Sequence, residues 1–286
     1  MNIRLNPKYS VINKINNKMD VHAGKTLSLI DMGKLQRLSI LYIGISITII
    51  VEALVSKEDN IMLKEKEKDL LMGLILGDGS IYKDRRCNSY ELYIGHGEKQ
   101  RDYLEWKLNI LNNSGIFKNK IKEKSKIVKL KGKEFLQFYF TKCSKITKEI
   151  YDLYYKDEVV NIDSILKTIK SDRSLAIWFM DDGSIYKRKN KKKDGTITWI
   201  RPSLKLCTHC FSYEDNLKIV QWFKNRYFVD CYIVSETKRN REGQPVYYYL
   251  NFNGENTDKI YKIIKSYITK CKSMEEKFEF LTKYYN

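Results

Sequence analysis

The string DGSIYK occurs twice, at residues 78–83 and again at 182–187, 104 positions later. Each copy closes an apolar run, LMGLIL at 71–76 and LAIWFM at 175–180. That separation is far longer than a solenoid repeat of roughly 20–50 residues. It implies two related halves, each presenting one aspartate, Asp78 or Asp182, at the same structural place. Leu70, Leu71, Leu74 and Ile75 keep helical spacing, with Gly73 and Gly77 four apart. Small residues on one face let two helix backbones approach, so a tight helix–helix seam is expected. In the second copy Ala176 aligns with Met72, Ile177 with Gly73 and Asp181 with Gly77, so the seam is not perfectly symmetric. Gly79 and Gly183 are expected to end the helices in the left-handed conformation that glycine tolerates.

Two apolar helices packed side by side bring their C-terminal ends together. Asp78 and Asp182 would then repel each other, and each would face the negative end of its helix. A magnesium ion between them relieves both problems, because it takes oxygen ligands and keeps several waters. It can activate a water and stabilise a leaving oxygen, which is the chemistry of phosphodiester hydrolysis. Asp-Gly is also a common turn pair. It is the repetition inside matched ten-residue frames that favours the catalytic reading. Asp181 reads as a helix-end residue or one standing behind the metal ligands, since Asp182 shares the DGSIYK frame with Asp78.

Charge points the same way. Lys and Arg number 53 against 35 Asp and Glu, a net charge of +18 in 286 residues. That excess favours a polyanionic partner, DNA or RNA, although an AT-rich gene would also inflate lysine. No single basic amphipathic helix concentrates the charge, so stable membrane association is not expected. The six cysteines form no regular framework, which suits a reducing compartment. Cys207 and Cys210 have CxxC spacing without a second pair and read as part of a strand. The uncharged run at 38–51 is 14 residues long, short of the roughly 20 that span a bilayer. Residues 1–60 read as an N-terminal extension to which no role is assigned.

From residue 64 the pattern repeats. Helix periodicity at 100–111 and 145–155 alternates with strand patterns at 90–94, 121–130 and 135–140. The second half has strands at 196–200, 203–208, 231–236 and 246–252, and helices at 213–226, 255–269 and 274–285. Each half is helix–hairpin–helix–hairpin–helix, an α+β arrangement. The halves are set at 61–170 and 171–286. Phe135, Phe138, Phe140, Tyr247, Tyr248 and Tyr249 are expected to pack sheet against helix.

LMGLILGDG and LAIWFMDDG resemble the two motifs of the LAGLIDADG homing endonucleases in their single-chain form. The resemblance implies two pseudo-symmetric αββαββα halves forming a saddle of two four-stranded antiparallel sheets over DNA. It implies metal binding at Asp78 and Asp182, which fall on the family's acids before the last glycine. The implied activity is site-specific, Mg2+-dependent double-strand cleavage giving a staggered break, in the service of intron homing. The implied partner is a long DNA site, bound by a monomer. SLAIWFMDDG is similar to the organellar intron type, which suggests a mitochondrion, with a plastid second. The same fold in the family also serves as an RNA-binding maturase, so intron RNA is an alternative partner and a catalytically silent DNA-binding protein another.

Further site residues follow. The hairpins offer Lys83, Arg85, Arg86, Lys124, Lys126, Lys187, Arg188, Lys189, Lys191, Arg201, Lys238, Arg239 and Arg241 to DNA. Most of them should contact phosphate, which positions a duplex without reading it, while a two-stranded ribbon fits the major groove. His96 and His209 each follow a strand and precede a helix, and the resemblance suggests that they organise water near the metals. It also points to Lys277, in SMEEKF, as a basic active-site residue. The matching position in the first half is Val159, with Lys156 nearby.

Overall fold

The computed structural model describes residues 65–84, 89–236 and 246–285. The 1–60 extension and its apolar run lie outside them. The first half holds α1 (65–76), β1 (Ser80–Asp84), β2 (Ser89–Gly97), α2 (Arg101–Asn113), β3 (Lys124–Leu130), β4 (Lys133–Cys143) and α3 (Lys145–Tyr154). Between the halves lie the short hairpin β5 (Tyr155–Lys156) and β6 (Val159–Val160), then α4 (Ile162–Thr168). The second half holds α5 (Asp172–Asp182), β7 (Gly183–Lys191), β8 (Ile197–Cys207), α6 (Tyr213–Tyr227), β9 (Tyr232–Ser235), β10 (Tyr248–Phe252), α7 (Glu255–Ile268) and α8 (Lys272–Tyr285). The two four-stranded antiparallel sheets have the same order, β1-β2-β4-β3 and β7-β8-β10-β9.

Local chemistry sets these boundaries. The side chains of Ser144, Asn161, Ser171 and Ser212 accept backbone N–H groups at the starts of α3, α4, α5 and α6, satisfying donors that a helix leaves open. Lys131 and Gly132 both have positive φ in the two-residue β3–β4 turn, which matches the strand twist. The connection through β5, β6 and α4 is an addition to the elements expected from the sequence. The strand expected to break at Pro202 in fact continues through it as β8. Tyr186 pairs with Ser203 and Arg188 with Ile200, so Arg201 and Pro202 bulge opposite Lys187. A bulge is where a strand admits proline, which has no N–H to give.

Among the described residues the core is centred on the α1–α5 pair. Residues 69–76 and 174–180 are buried throughout. A Cβ added to Gly73 would lie 2.7 Å from Ser174 Cβ, and one added to Gly77 would lie 2.1 Å from Asp181 Oδ2. The helices therefore run parallel at backbone contact. The small residue facing Gly73 is Ser174 rather than Ala176. Asp69 ties the entry of α5 to α1, since its Oδ1 accepts from Lys170 N at 2.6 Å and Ser171 N at 3.1 Å. Ser174 Oγ donates to Asp69 O at 3.0 Å.

The glycines after the helices work differently from expectation. Gly183 is extended, with φ −75°, and Gly79 is not among the positive-φ residues. A Cβ would instead fall 2.3 Å from Leu74 O at Gly79 and 2.2 Å from Phe179 O at Gly183. Glycine is needed here because the chain turns back onto its own helix carbonyls. Gly79 N donates to Leu74 O at 3.0 Å.

One face of each sheet packs on the helices, through Ile81, Leu92, Ile94, Phe138 and Phe140 in the first and Leu204, Leu206, Leu250 and Phe252 in the second. Strand alternation leaves the other face open, carrying Tyr82, Tyr93 and Tyr139 and, in the second sheet, Tyr186 and Tyr249. Phe135 is half exposed and Tyr249 lies on the open face, so these two aromatics do not pack sheet against helix. Phe138 and Phe140 do, and Tyr248 lies against Tyr213 of α6. Among the described residues no helix is long and apolar enough to cross a membrane.

Candidate active site

Asp78 leaves the end of α1, and Asp181 and Asp182 end α5. The Asp78 side chain is 44% exposed, whereas that of Asp181 is fully buried. The two residues touch, because the Asp78 N–H donates to Asp181 Oδ2 at 3.0 Å. Gly77 and Asp181 are equivalent positions of the repeat and face each other across the seam. A Cβ added at Gly77 would meet Asp181 Oδ2 at 2.1 Å, so only one of the two positions can carry a side chain. That is the physical reason for the asymmetry between LILGDG and WFMDDG.

A buried carboxylate needs a partner, and Lys107 of α2 supplies it. Lys107 Nζ lies 2.7 Å from Asp181 Oδ1 and 2.8 Å from Oδ2, with neither side chain exposed. The same Nζ is 3.1 Å from His96 Nε2. A lysine ammonium has only donors, so His96 Nε2 accepts and the ring proton sits on Nδ1. Nδ1 lies 3.7 Å from Asp78 Oδ2. Burial, and then the Lys107 charge, pull the His96 pKa down to about 4, so the imidazole is neutral at physiological pH. Lys107 interrupts the apolar stripe Tyr103, Leu104, Leu111 of α2. A lysine on such a stripe is the sequence signal for this pair, and it is absent from the residues singled out above.

The acids are under-compensated. Burial, then Asp181 and Asp78, push Asp182 up to about 7. Burial and Asp181 raise Asp78 as well, against the opposing charges of Lys107 and Lys277. Ligand atoms of Asp78, His96 and Asp181 lie within 4.8 Å of one another, the one such metal-competent group among the described residues. Lys107 already engages both oxygens of Asp181 and one nitrogen of His96, which leaves Asp78 as the open oxygen donor. Asp182 is not in that metal-competent group; the exposed Asp78 carboxylate and Asp182, raised at the adjoining helix end, are the oxygen donors that fit a hard divalent cation such as Mg2+. Lys277 of α8 closes the end of α5, donating to Met180 O at 2.6 Å and Asp181 O at 2.8 Å. Its own pKa is lowered, by burial first.

Strand register identifies the true counterparts. Ser80 pairs with Tyr93 and Ser184 with Lys205, so β2 and β8 correspond at an offset that places Thr208, not His209, opposite His96. Thr208 is fully buried, its hydroxyl 2.6 Å from Asn216 Oδ1. His209 lies 3.1 Å from Glu236 Oε2 and beside Tyr247, apart from the cluster around Asp78. Lys107 is the seventh residue of α2, and Ile219, fully buried, is the seventh of α6. Val159 on β6 is 69% exposed. The first half therefore has His96 and Lys107 where the second has Thr208 and Ile219, and the second has Lys277. Cys207 ends β8 and Cys210 lies in the turn beyond it, outside any metal-competent group among the described residues.

The basic candidates divide between faces. Lys124 and Lys126 stand on the open face of the first sheet, Lys126 Nζ 4.9 Å from the ring centres of both Tyr93 and Tyr139. Lys205, not singled out from sequence, does the same in the second sheet, 4.4 Å from Tyr186 and Tyr249. Lys83 lies on the helix side of β1 over Tyr90, and Lys187 over Phe280 of α8. Arg201 is ion-paired with Asp258. Lys189 and Lys191 are exposed on the β7–β8 hairpin and Arg188 is within β7. Arg85, Arg86, Lys238, Arg239 and Arg241 lie outside the described residues.

The LAGLIDADG DNA endonuclease family matches residues 68–260. The DNA endonuclease I-ChuI of Chlamydomonas applanata is 21% identical over 219 residues, 73% of this chain and 93% of that protein. Protein RecA of Mycobacterium shimoidei is 27% identical over 141 residues, 47% of this chain and 30% of the RecA protein. The chain thus spans less than a third of that relative's length. Among solved structures, the homing endonuclease I-WcaI bound to its DNA recognition sequence is similar in fold, with a TM-score of 0.56, 20% identity, and coverage of 74% of this chain and 85% of that one.

Proposed function

Since the chain belongs to the LAGLIDADG DNA endonuclease family, we propose that it is a site-specific endonuclease that hydrolyses both strands of a DNA duplex with a divalent metal, Mg2+ first, at Asp78 and Asp182. The observation that carries this reading is the α1–α5 seam. Two parallel buried helices deliver equivalent aspartates to the same end of the described unit, where burial first and the Asp181 charge next raise the pKa of both Asp78 and Asp182.

Asp78 and Asp182 are the residues that would hold the cation. When bound, such an ion supplies a water of lowered pKa and positive charge against the leaving oxygen. Lys277 fixes the end of α5 through Met180 O and Asp181 O and adds positive charge beside the scissile phosphate. Neutral His96 turns an N–H toward Asp78 and orders water there. The open sheet faces receive the duplex, with Lys126 and Lys205 held over tyrosines. One aspartate serves each strand, so the two cuts are offset across the minor groove. Both motifs are on one chain, which acts as a monomer. The proposed biological role is the mobility of an intron.

The test begins with a randomised duplex library incubated with protein and Mg2+, from which cut sequences are recovered. A plasmid carrying the recovered site should be linearised with Mg2+ and spared with EDTA. Asp78→Asn and Asp182→Asn should stop cutting of one strand or both while DNA binding persists. Tight binding to intron RNA with no DNA cut at any sequence would replace the nuclease reading with a splicing one.

A further inference from the structure

Lys107, Asp181 and His96 form a chain of contacts that crosses from one half to the other. Lys107 and His96 come from α2 and β2, Asp181 from α5. The chain ends on one acid. Asp181 Oδ2 accepts the Asp78 backbone N–H at 3.0 Å, and the His96 ring faces the Asp78 carboxylate at 3.7 Å. Among the described residues nothing comparable surrounds Asp182. The positions matching His96 and Lys107 hold Thr208, turned to Asn216, and Ile219, which has no charge to offer. Nor can the first half present an acid in return, because Gly77 has no room for one beside Asp181.

We infer that the Lys107–Asp181–His96 chain is a one-sided positioning device that fixes the Asp78 centre and has no counterpart at the Asp182 centre, Lys277 lying at the end of α5 between the two acids, so that the two DNA strands are cut by centres with different supporting residues. The inference rests on the nuclease reading and deepens it.

Its physical content is specific. Asp181, ion-paired with Lys107, accepts the Asp78 amide N–H, and a hydrogen bond to a charged group is stronger than one between neutral groups. Lys107 holds both carboxylate oxygens of Asp181 and also fixes the tautomer of His96. Removing the chain loosens Asp78 in backbone and side chain. Asp182 keeps its place at the end of a buried helix that Lys277 still closes.

The test uses the full chain and the double substitution Lys107→Met/Asp181→Ala, which removes both charges together and leaves no unpaired ion. Without metal or DNA, amide hydrogen exchange at Asp78 should become about tenfold faster or more, the equivalent of 1.4 kcal/mol, while the α5 amides keep their protection. On a plasmid carrying the recovered site, Asp78→Asn first identifies the strand that Asp78 serves. The double variant should cut that strand at least about tenfold more slowly relative to the other, so nicked circles accumulate with the break always on the strand opposite. Equal slowing of both strands, or slower cutting of the Asp182 strand, overturns the inference, as does unchanged exchange at Asp78. Should the unmodified protein cut neither strand, the nuclease reading fails, and the exchange measurement still decides whether the chain holds Asp78.

Discussion

Lys107 of the first half and Asp181 of the second form an ion pair in which neither side chain is exposed. Losing one member of such a pair strands the other. Lys107→Met is expected to destabilise the protein by about 3–5 kcal/mol, as breaking a buried pair does. Adding Asp181→Asn removes the stranded charge and should recover part of that loss. Denaturant unfolding of the wild type, the single and the double variant measures both steps. A double variant no more stable than the single one would mean that the Lys107 contacts with His96 and Tyr103, not its charge on Asp181, carry the stability.

The seam between α1 and α5 tolerates no added volume. Gly77→Ala would place a methyl 2.1 Å from Asp181 Oδ2, and Gly73→Ala one 2.7 Å from Ser174 Cβ. Overpacking of this kind costs about 1–3 kcal/mol, and Gly77→Ala must also push Asp181 off the Asp78 amide. Gly97, with nothing within 4 Å of its Cβ position and φ −71°, is the control, since Gly97→Ala should be close to neutral. Thermal melting compares the three. Equal melting temperatures would deny that the helices touch at backbone distance.

The repeated DGSIYK frame, the apolar runs and the alternating strands are enough to read the two halves and the metal acids as candidates. They specify burial and period, and these act locally along the chain. The seam partner of Gly73 is not readable in the same way, because Ser174 sits three residues away from the aligned position and only the helix crossing selects it. Sequence order pairs His209 with His96, whereas strand register assigns Thr208. The connection β5, β6 and α4 gives no such signal. Its tight turn is built on positive φ at Asp157 and Glu158, with no glycine to announce it. The left-handed role expected of Gly79 and Gly183 fails for a related reason. Glycine is required there by a carbonyl behind it, not by its own φ.

Stability should respond to pH through two opposed trends. Asp182 has a folded pKa of about 7 against an ordinary 3.8. Between those values the native state holds a proton that the unfolded chain has lost, so stability falls as pH rises. Asp78, also raised, adds to that fall. His96 is depressed to about 4 from 6.5. Between those values the unfolded chain holds the extra proton, so its contribution rises with pH. The two trends offset one another from about pH 4 to 6.5, and the fall emerges near pH 7. His96→Gln should steepen the decline and Asp182→Asn should flatten it, as read by urea unfolding in a series of buffers. An unchanged profile in Asp182→Asn would mean that its carboxyl titrates normally.

Divalent cations should stabilise the free protein, and more so above pH 7, where the acids are ionised and ready to bind. A cation at a hundred times its dissociation constant adds about 2.7 kcal/mol. Melting with and without Mg2+, in the absence of DNA, should show a rise in the wild type that Asp78→Asn and Asp182→Asn diminish. Asp194→Asn, exposed on the β7–β8 turn, should leave the rise intact. A rise that survives both active-site changes would put the cation elsewhere.

The face on which the duplex lies can be read from salt dependence. Lys126 and Lys205 stand on the open sheet faces over tyrosine pairs, whereas Lys83 and Lys187 sit on the helix side over Tyr90 and Phe280. Each phosphate contact contributes about −0.9 to the slope of log affinity against log salt. Lys126→Ala and Lys205→Ala should each weaken binding and make that slope shallower by about one contact, while Lys83→Ala and Lys187→Ala leave it alone. Fluorescence anisotropy of a labelled target duplex, titrated at several salt concentrations, separates the two sets. If Lys83→Ala flattened the slope as much as Lys126→Ala, DNA would be crossing the helical side of the first sheet, and the placement of Asp78 and Asp182 against the scissile phosphates would have to be abandoned with it.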